Sequence, residues 1–206
     1  MGTVVAAQAV QPTKKTGDTV MSMVPSANDC AFGSAFDTNG VLYWIATEGG
    51  TQEYANPHDS GKVVAAMSSV GHGGPARFVQ HAHSGSSNDY NYTNNVANSW
   101  MSLDLGEARE LVPSHYCLRD GYSNGSYKLR HWRLEGSKDG TTWTTLKQHS
   151  NDAGLAATAY SVADWAIEGV TEAYRHFRVL QTGKSSSNAD YLSCFGIELY
   201  GELKAL

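Results

Sequence analysis

The chain has 206 residues, 5 more formal negative than positive charges at pH 7, and a pI near 5.9, a size that suits one domain able to bury a core without staples. Nothing in that charge balance argues for nucleic acid or an anionic membrane surface as a partner, and no apolar run reaches membrane-spanning length. Charged residues make up only 17%, while 21 glycines and a 10% aromatic share point to an all-β fold with a surface of turns and neutral hydrogen-bonding groups.

Residues 1–25 read as a tail of small residues followed by Gln-Pro-Thr-Lys-Lys-Thr-Gly, and residues 26–206 as one domain. The N-terminus shows no charged segment followed by an apolar one, and Ala6 stands where a myristoylation signal needs Ser or Thr. Asp37-Thr38-Asn39-Gly40 is a turn signal that predicts a strand over 41–47 (VLYWIAT), ended by Gly49-Gly50. Asn56-Pro57 opens another turn, and 61–69 (GKVVAAMSS) reads as a second strand. Residues 70–98 then shift to Gly, His, Ser, Asn and Tyr without periodicity, a loop length that is often functional.

Met101, Leu103 and Leu105 alternate with polar residues in a half-buried strand. After Pro113, residues 115–119 (HYCLR) lead into a polar loop, and Arg130, Trp132 and Leu134 share a parity in the strand beyond it. Residues 137–140 (SKDG) form a hairpin turn, with Trp143 and Leu146 in the return strand. From 153 to 166 the pattern predicts one short helix. Phe177 and Val179, then Phe195, Ile197 and Leu199, alternate in two final strands around a polar loop at 183–190 (GKSSSNAD). No internal repeat is visible.

Four stretches in this order resemble the discoidin, or coagulation factor V/VIII type C, domains. Trp100-Met101-Ser102-Leu103-Asp104-Leu105-Gly106 is similar to their W-x-x-x-D-L-G strand, and 136–143 (GSKDGTTW) to their S-x-D-G-x-x-W hairpin. Residues 175–179 (RHFRV) and 197–201 (IELYG) are similar to the later strands, so the resemblance covers about 68–201. It implies an eight-stranded antiparallel jelly-roll β-sandwich of the galactose-binding-like type, preceded by an extra N-terminal segment. It also implies a non-catalytic module that binds through loops at one end. The patterns NGVLYWIAT, NPHDSG, HYCLR and LRHW look more like the intracellular branch found beside BTB and ubiquitin-ligase modules. Many secreted relatives hold calcium at an A-x-D-G-D-x-x-T-x-W stretch. Residues 78–85 (FVQHAHSG) lack those carboxylates, although Asp37 and Glu198 could still contribute to a calcium site; no other cofactor is expected.

Arg119 and Arg130 flank the loop 120–129, which contains Tyr122 and Tyr127. Guanidinium groups grip carboxylate, phosphate or vicinal hydroxyls with paired donors, and tyrosines add a stacking face. The alternative is that an arginine pins the loop to Asp104, Asp120 or a carbonyl while the tyrosines cover the sandwich end. His81 and His83 lie two apart beside Tyr90 and Tyr92, and Lys184 adds a cation in the last polar loop. The expected ligand-binding set is therefore Arg119, Tyr122, Tyr127, Arg130, His81, His83, Tyr90 and Lys184.

No G-x-S-x-G elbow, H-E-x-x-H pair or zinc-spaced cysteine pair occurs, so catalytic and metal residues are not expected. Cys30, Cys117 and Cys194 are read as buried free thiols, which suits a reducing compartment and a cytoplasmic location. The sequons at Asn91 and Asn124 match chance frequency in so Asn- and Ser-rich a chain. The expected partner is a protein segment, with a carbohydrate as the alternative ligand of the same loops. Nucleic acid and membrane insertion are not expected.

Overall fold

The computed structural model describes residues 28–206 apart from 85, 87 and 88, so the tail at 1–25 lies outside the described residues. In chain order the elements are β1 (Asn28–Cys30), α1 (Val41–Ala46), β2 (Val64–Met67), α2 (Pro75–Phe78) and β3 (Trp100–Asp104). Next come β4 (Arg109–Arg119), β5 (Trp132–Ser137), β6 (Thr144–His149), β7 (Val162–Ala166), β8 (His176–Gln181) and β9 (Gly196–Ala205). Two antiparallel sheets face each other, one ordered β1-β9-β4-β7 and the other β2-β3-β8-β5-β6. Strands β2 to β9 form the jelly-roll sandwich, and β1 adds a three-residue edge along β9.

Alternation sets which face of each strand enters the core. Met101, Leu103 and Leu105 are buried between half-exposed Trp100, Ser102 and Asp104, and Phe177 and Val179 meet them from β8. Trp132, Tyr116, Leu134, Leu111 and Leu199 complete one continuous cluster. Strand β9 does not alternate: its residues from Gly196 to Gly201 are all buried. It is central in its sheet, and α1 with the preceding chain covers its outer face, where Tyr200 donates its hydroxyl to Ser34 O at 3.1 Å. Pro113 has no N–H to give to a central ladder, and it sits where the β4–β9 register shifts before His115.

Two expected elements differ. Residues 41–47 form α1 rather than a strand. The amides of Leu42 and Tyr43 donate to the buried Glu198 carboxylate at 2.7 and 3.1 Å, opening a turn closed by Trp44 N–H to Gly40 O and Thr47 N–H to Tyr43 O. Val41, Leu42, Ile45 and Ala46 then face inward, a helical spacing hidden in an unbroken apolar run. The short helix expected within 153–166 is absent: a loop leads into β7, whose Val162–Ala166 pair with β4.

The family motifs cross-brace one another. Asp104 accepts paired bonds from Arg175 at 2.6 and 2.7 Å, and Arg178 bonds Glu135 at 2.5 Å while lying 4.2 Å from the centre of the Trp143 ring. They hold strands together and touch no loop of the candidate site.

Candidate functional site: a ring of tyrosines at the loop end

Strand registers define one end of the sandwich. Met67 pairs with Met101, Arg119 with Val162 and Gly196, and Trp132 with His149 and Gln181. The connections 68–99, 120–131, 150–161 and 182–195 therefore emerge together.

Asn91 sews three of these loops. Its side chain accepts from Gly74 N–H at 2.9 Å and donates to Cys194 O at 2.8 Å, while its backbone bonds Gly121 O and Cys194 N–H, both at 3.0 Å. The approach is close enough that a Cβ on Gly121 would sit 2.2 Å from Asn91 O, so only glycine fits. Next along the chain, Tyr92 bridges to both His72 and Ser193, and Thr93 bonds Leu192.

The loop 120–131 is stiffened from inside. Lys128 and Asp120 form an ion pair in which both side chains are fully buried, and Lys128 Nζ also donates to Asn124 O at 2.9 Å. The same Asp120 oxygen accepts Tyr122 N–H at 2.9 Å. Burial pushes the Asp120 carboxyl up against the opposing pull of Lys128, and Asp120 Oδ1 has no hydrogen-bond partner among the described residues. Tyr127 occupies the left-handed region at φ 60°, costly for an aromatic residue, and is held there as Tyr127 N–H and Lys128 N–H donate to Ser187 and Ser186 hydroxyls at 3.0 and 2.9 Å.

This scaffold presents a closed ring of four half-buried tyrosines. Successive ring centres are 5.4 Å apart from Tyr92 to Tyr122, 5.0 Å to Tyr127, 5.2 Å to Tyr191 and 5.7 Å back to Tyr92. Interplanar angles between 43° and 82° make them walls rather than a stack, and they line a pit of about 60 Å³. Tyr90 extends the wall, 5.1 Å from Tyr122, and accepts a bond from Ser123 Oγ at 2.8 Å. Burial, then the neighbouring phenol groups, raise the Tyr122 hydroxyl above its ordinary range.

Of the residues expected from sequence, Tyr90, Tyr122 and Tyr127 meet here. Arg130 is directed away, donating to the carbonyls of Leu129, Asp152 and Leu155 at 3.0–3.2 Å. Arg119 is 8% exposed and lies 4.0 Å from the centre of the Phe36 ring. His81 joins that second grouping, 6.2 Å from Phe36 and 4.6 Å from Tyr43, and burial lowers its pKa. His83 stacks on Tyr160 at 4.4 Å, and Lys184 pairs with Asp190. Tyr191 was not foreseen. The available signal was its place directly after the polar loop 183–190.

The donor set does not fit calcium. Asp37 accepts Gly33, Ser34 and Asn39 N–H groups, and Glu198 accepts those of Leu42, Tyr43 and Leu199, so the oxygens a cation needs are already engaged by donors. Among the described residues, no three His, Cys, Asp or Glu side chains gather as a metal site, and no helix is long and apolar enough to cross a membrane.

Comparison with known proteins gives matching results. Residues 81–174 match the family model of the F5/F8 type C group described as a NedA-like, galactose-binding domain. Over 82% of its length the chain is 36% identical to the E3 ubiquitin-protein ligases Ufd4 of Drosophila melanogaster and hecd-1 of Caenorhabditis elegans, of which it spans 6%. It is 30% identical to a BTB/POZ domain-containing protein of Arabidopsis thaliana, covering 80% of this chain and 21% of that protein. The family 32 carbohydrate-binding module of C. perfringens NanJ, solved in complex with galactose, shares the fold at a TM-score of 0.50 and 14% identity, over 71% of this chain and 97% of that one.

Proposed function

Because this chain carries a galactose-binding-like domain of the F5/F8 type C family, we propose that it is a non-catalytic interaction module, whose loop end binds a segment of a partner protein. The observation that carries this reading is the tyrosine ring: an aromatic, half-buried, preformed surface held by Asn91 and the Asp120–Lys128 pair. Tyrosine suits recognition because each ring offers much contact area for little lost side-chain freedom. Tyr90, Tyr122 and Tyr127 would make direct contact, joined by Tyr92 and Tyr191. His83 and Lys184 would stand on the flanks, and Arg119, Arg130 and His81 would support the loops from beneath. The relatives named as a ubiquitin ligase or a BTB protein favour a module working inside a larger polypeptide, and the three buried thiols favour the cytoplasm.

A carbohydrate ligand is the second reading, favoured by the galactose-bound module of like fold. Two experiments separate them. Affinity capture from cell lysate with the wild-type domain and a Tyr122→Ala/Tyr127→Ala variant should give a protein partner lost only in the variant. A glycan array should give no saturable signal. Sugar binding abolished by the same double substitution reverses the order, and no difference between wild type and variant in either assay removes the tyrosine ring from function.

A further inference from the structure

The end of the sandwich away from the tyrosine ring carries a cleft of its own. Val64 pairs with Asp104 and Arg109 with Ala205, so the segment 47–63 and the start of β4 meet there. Between them lies a space of about 490 Å³, open to solvent, against about 60 Å³ between the tyrosines. Sites for small ligands commonly measure about 300–1,000 Å³.

Part of the lining is aromatic. Trp44 is half-buried on α1, and its indole N–H has no acceptor among the described residues. Gly49, at φ 70°, packs so closely on this ring that a Cβ there would lie 3.2 Å from Nε1. The end of α1 adds little negative charge, because Trp44 O accepts Gly49 N–H at 2.9 Å and Ala46 O accepts Lys62 Nζ at 3.0 Å.

The rest of the lining is charged. Glu48 is its one carboxylate and pairs with Lys62 at 3.0 Å, so Arg109 leaves the cleft with a single uncommitted positive charge. Arg109 Nη2 donates to Lys62 O at 2.7 Å, and its other guanidinium hydrogens have no acceptor among the described residues. One two-donor fork therefore remains open. Asp104 exerts a pull on Arg109 but already takes paired bonds from Arg175. Burial lowers the Arg109 pKa against that pull, as befits a guanidinium that has lost water without gaining a counter-ion.

We propose that this cleft is a second binding site, taking one carboxylate joined to an aromatic body of about indole size. The carboxylate pairs with the open fork of Arg109, and the body lies against Trp44. A single free positive charge matches a monoanion better than a doubly charged phosphate, and the space far exceeds a bare anion. The same chemistry is offered by a free aromatic acid and by an aromatic residue at the C-terminus of a polypeptide. The site stands apart from the loop end and does not depend on what binds there.

The test is a titration of the wild-type protein with N-acetyl-tryptophan, its neutral carboxamide, indole-3-propionate and inorganic phosphate. The readout is the NMR shift of the Trp44 indole N–H, assigned by its disappearance in Trp44→Phe. At least one of the two acids should bind about tenfold or more tightly than the carboxamide, the ratio a single charge-assisted hydrogen bond supplies. That advantage should shrink as salt is raised. A preference for N-acetyl-tryptophan assigns the ligand to a chain terminus, and one for indole-3-propionate to a free acid. Arg109→Met, which keeps the stem and removes the charge, should bring the acids down to the carboxamide. The wild-type comparison of acid with carboxamide stands even where Arg109→Met fails to fold. Equal binding of the carboxamide overturns the proposal, as does the absence of a saturable Trp44 shift, or an acid preference that survives Arg109→Met. Phosphate binding as tightly as the acids overturns it too.

Discussion

Lys128 and Asp120 neutralise each other with neither side chain exposed, and the carboxylate that takes the ammonium also takes the Tyr122 amide. Two charges removed from water are tolerated only as a pair. Lys128→Met should therefore cost about 3–5 kcal/mol by leaving Asp120 buried and uncompensated. Adding Asp120→Leu to it should recover part of the loss but not all, since the Tyr122 N–H would still lack its acceptor. Urea unfolding of the two variants checks both statements, and a loss below about 1 kcal/mol for Lys128→Met would contradict them.

Arg130 gives the opposite kind of test. Its guanidinium spans three carbonyls, so Arg130→Ala should lower stability by about 1–3 kcal/mol through unpaired acceptors. Ligand affinity per folded molecule should hardly change, because no contact of Arg130 reaches the tyrosine ring. A large affinity loss without a stability loss would place Arg130 in the ligand's path after all.

A third prediction concerns pH. Trp132 donates its indole N–H to the Tyr116 oxygen at 3.0 Å, Tyr116 Oη lies 2.6 Å from His149 Nε2, and His149 Nδ1 lies 2.7 Å from Asp152; the tautomer protonated at Nδ1 lets every group in this chain pair. Burial, over the opposing pull of Asp152, holds His149 below its ordinary value of 6.5. The unfolded chain takes up a proton at about 6.5 while the folded one resists, so this contribution is complete above that pH and is lost as pH falls beneath it. His149 should therefore add a downward slope to the urea midpoint between about pH 7 and pH 5, against the opposite contribution of the buried Asp120 carboxyl, which is raised to about 7. His149→Gln, which can keep both bonds without titrating, should flatten that slope, and an unchanged slope would assign it to other groups.

The fourth concerns the thiols. Burial pushes Cys30 and Cys194 up to about 12 and Cys117 higher still, and all three are at most 3% exposed. Thiolate is the reactive form, so at about pH 8 a disulfide reagent should modify none of them in the folded domain. The three should react together, at a rate that rises with urea as global unfolding does. One thiol reacting fast in native buffer would reveal a local opening.

The fold was readable because its signals are local or repeated. The alternation of Met101, Leu103 and Leu105, the hairpin at 137–140 and the motif residues Asp104, Arg175, Trp143 and Arg178 all serve strand pairing, and they appear in the sequence as pattern. The strand expected at 41–47 failed for a non-local reason: Glu198, far along the chain, supplies the acceptor that starts a helix, and an apolar run does not show that. The same limit applies to the site. Tyr90, Tyr122 and Tyr127 stand out as aromatics among polar loop residues, but ring closure by Tyr191 depends on Asn91 joining three loops. Arginine between tyrosines reads as ligand-binding by composition. The bonds of Arg130 to the Leu129, Asp152 and Leu155 carbonyls are not visible in that composition.

Asn91 carries one more consequence. It is the acceptor residue of a glycosylation sequon, yet it is fully buried, and the side-chain nitrogen a sugar would occupy donates to Cys194 O at 2.8 Å. A glycan attached there during synthesis would wedge apart the loops that Asn91 joins, and the tyrosine ring would not close. For a chain modified at this position, the glycan and the closed tyrosine ring are mutually exclusive.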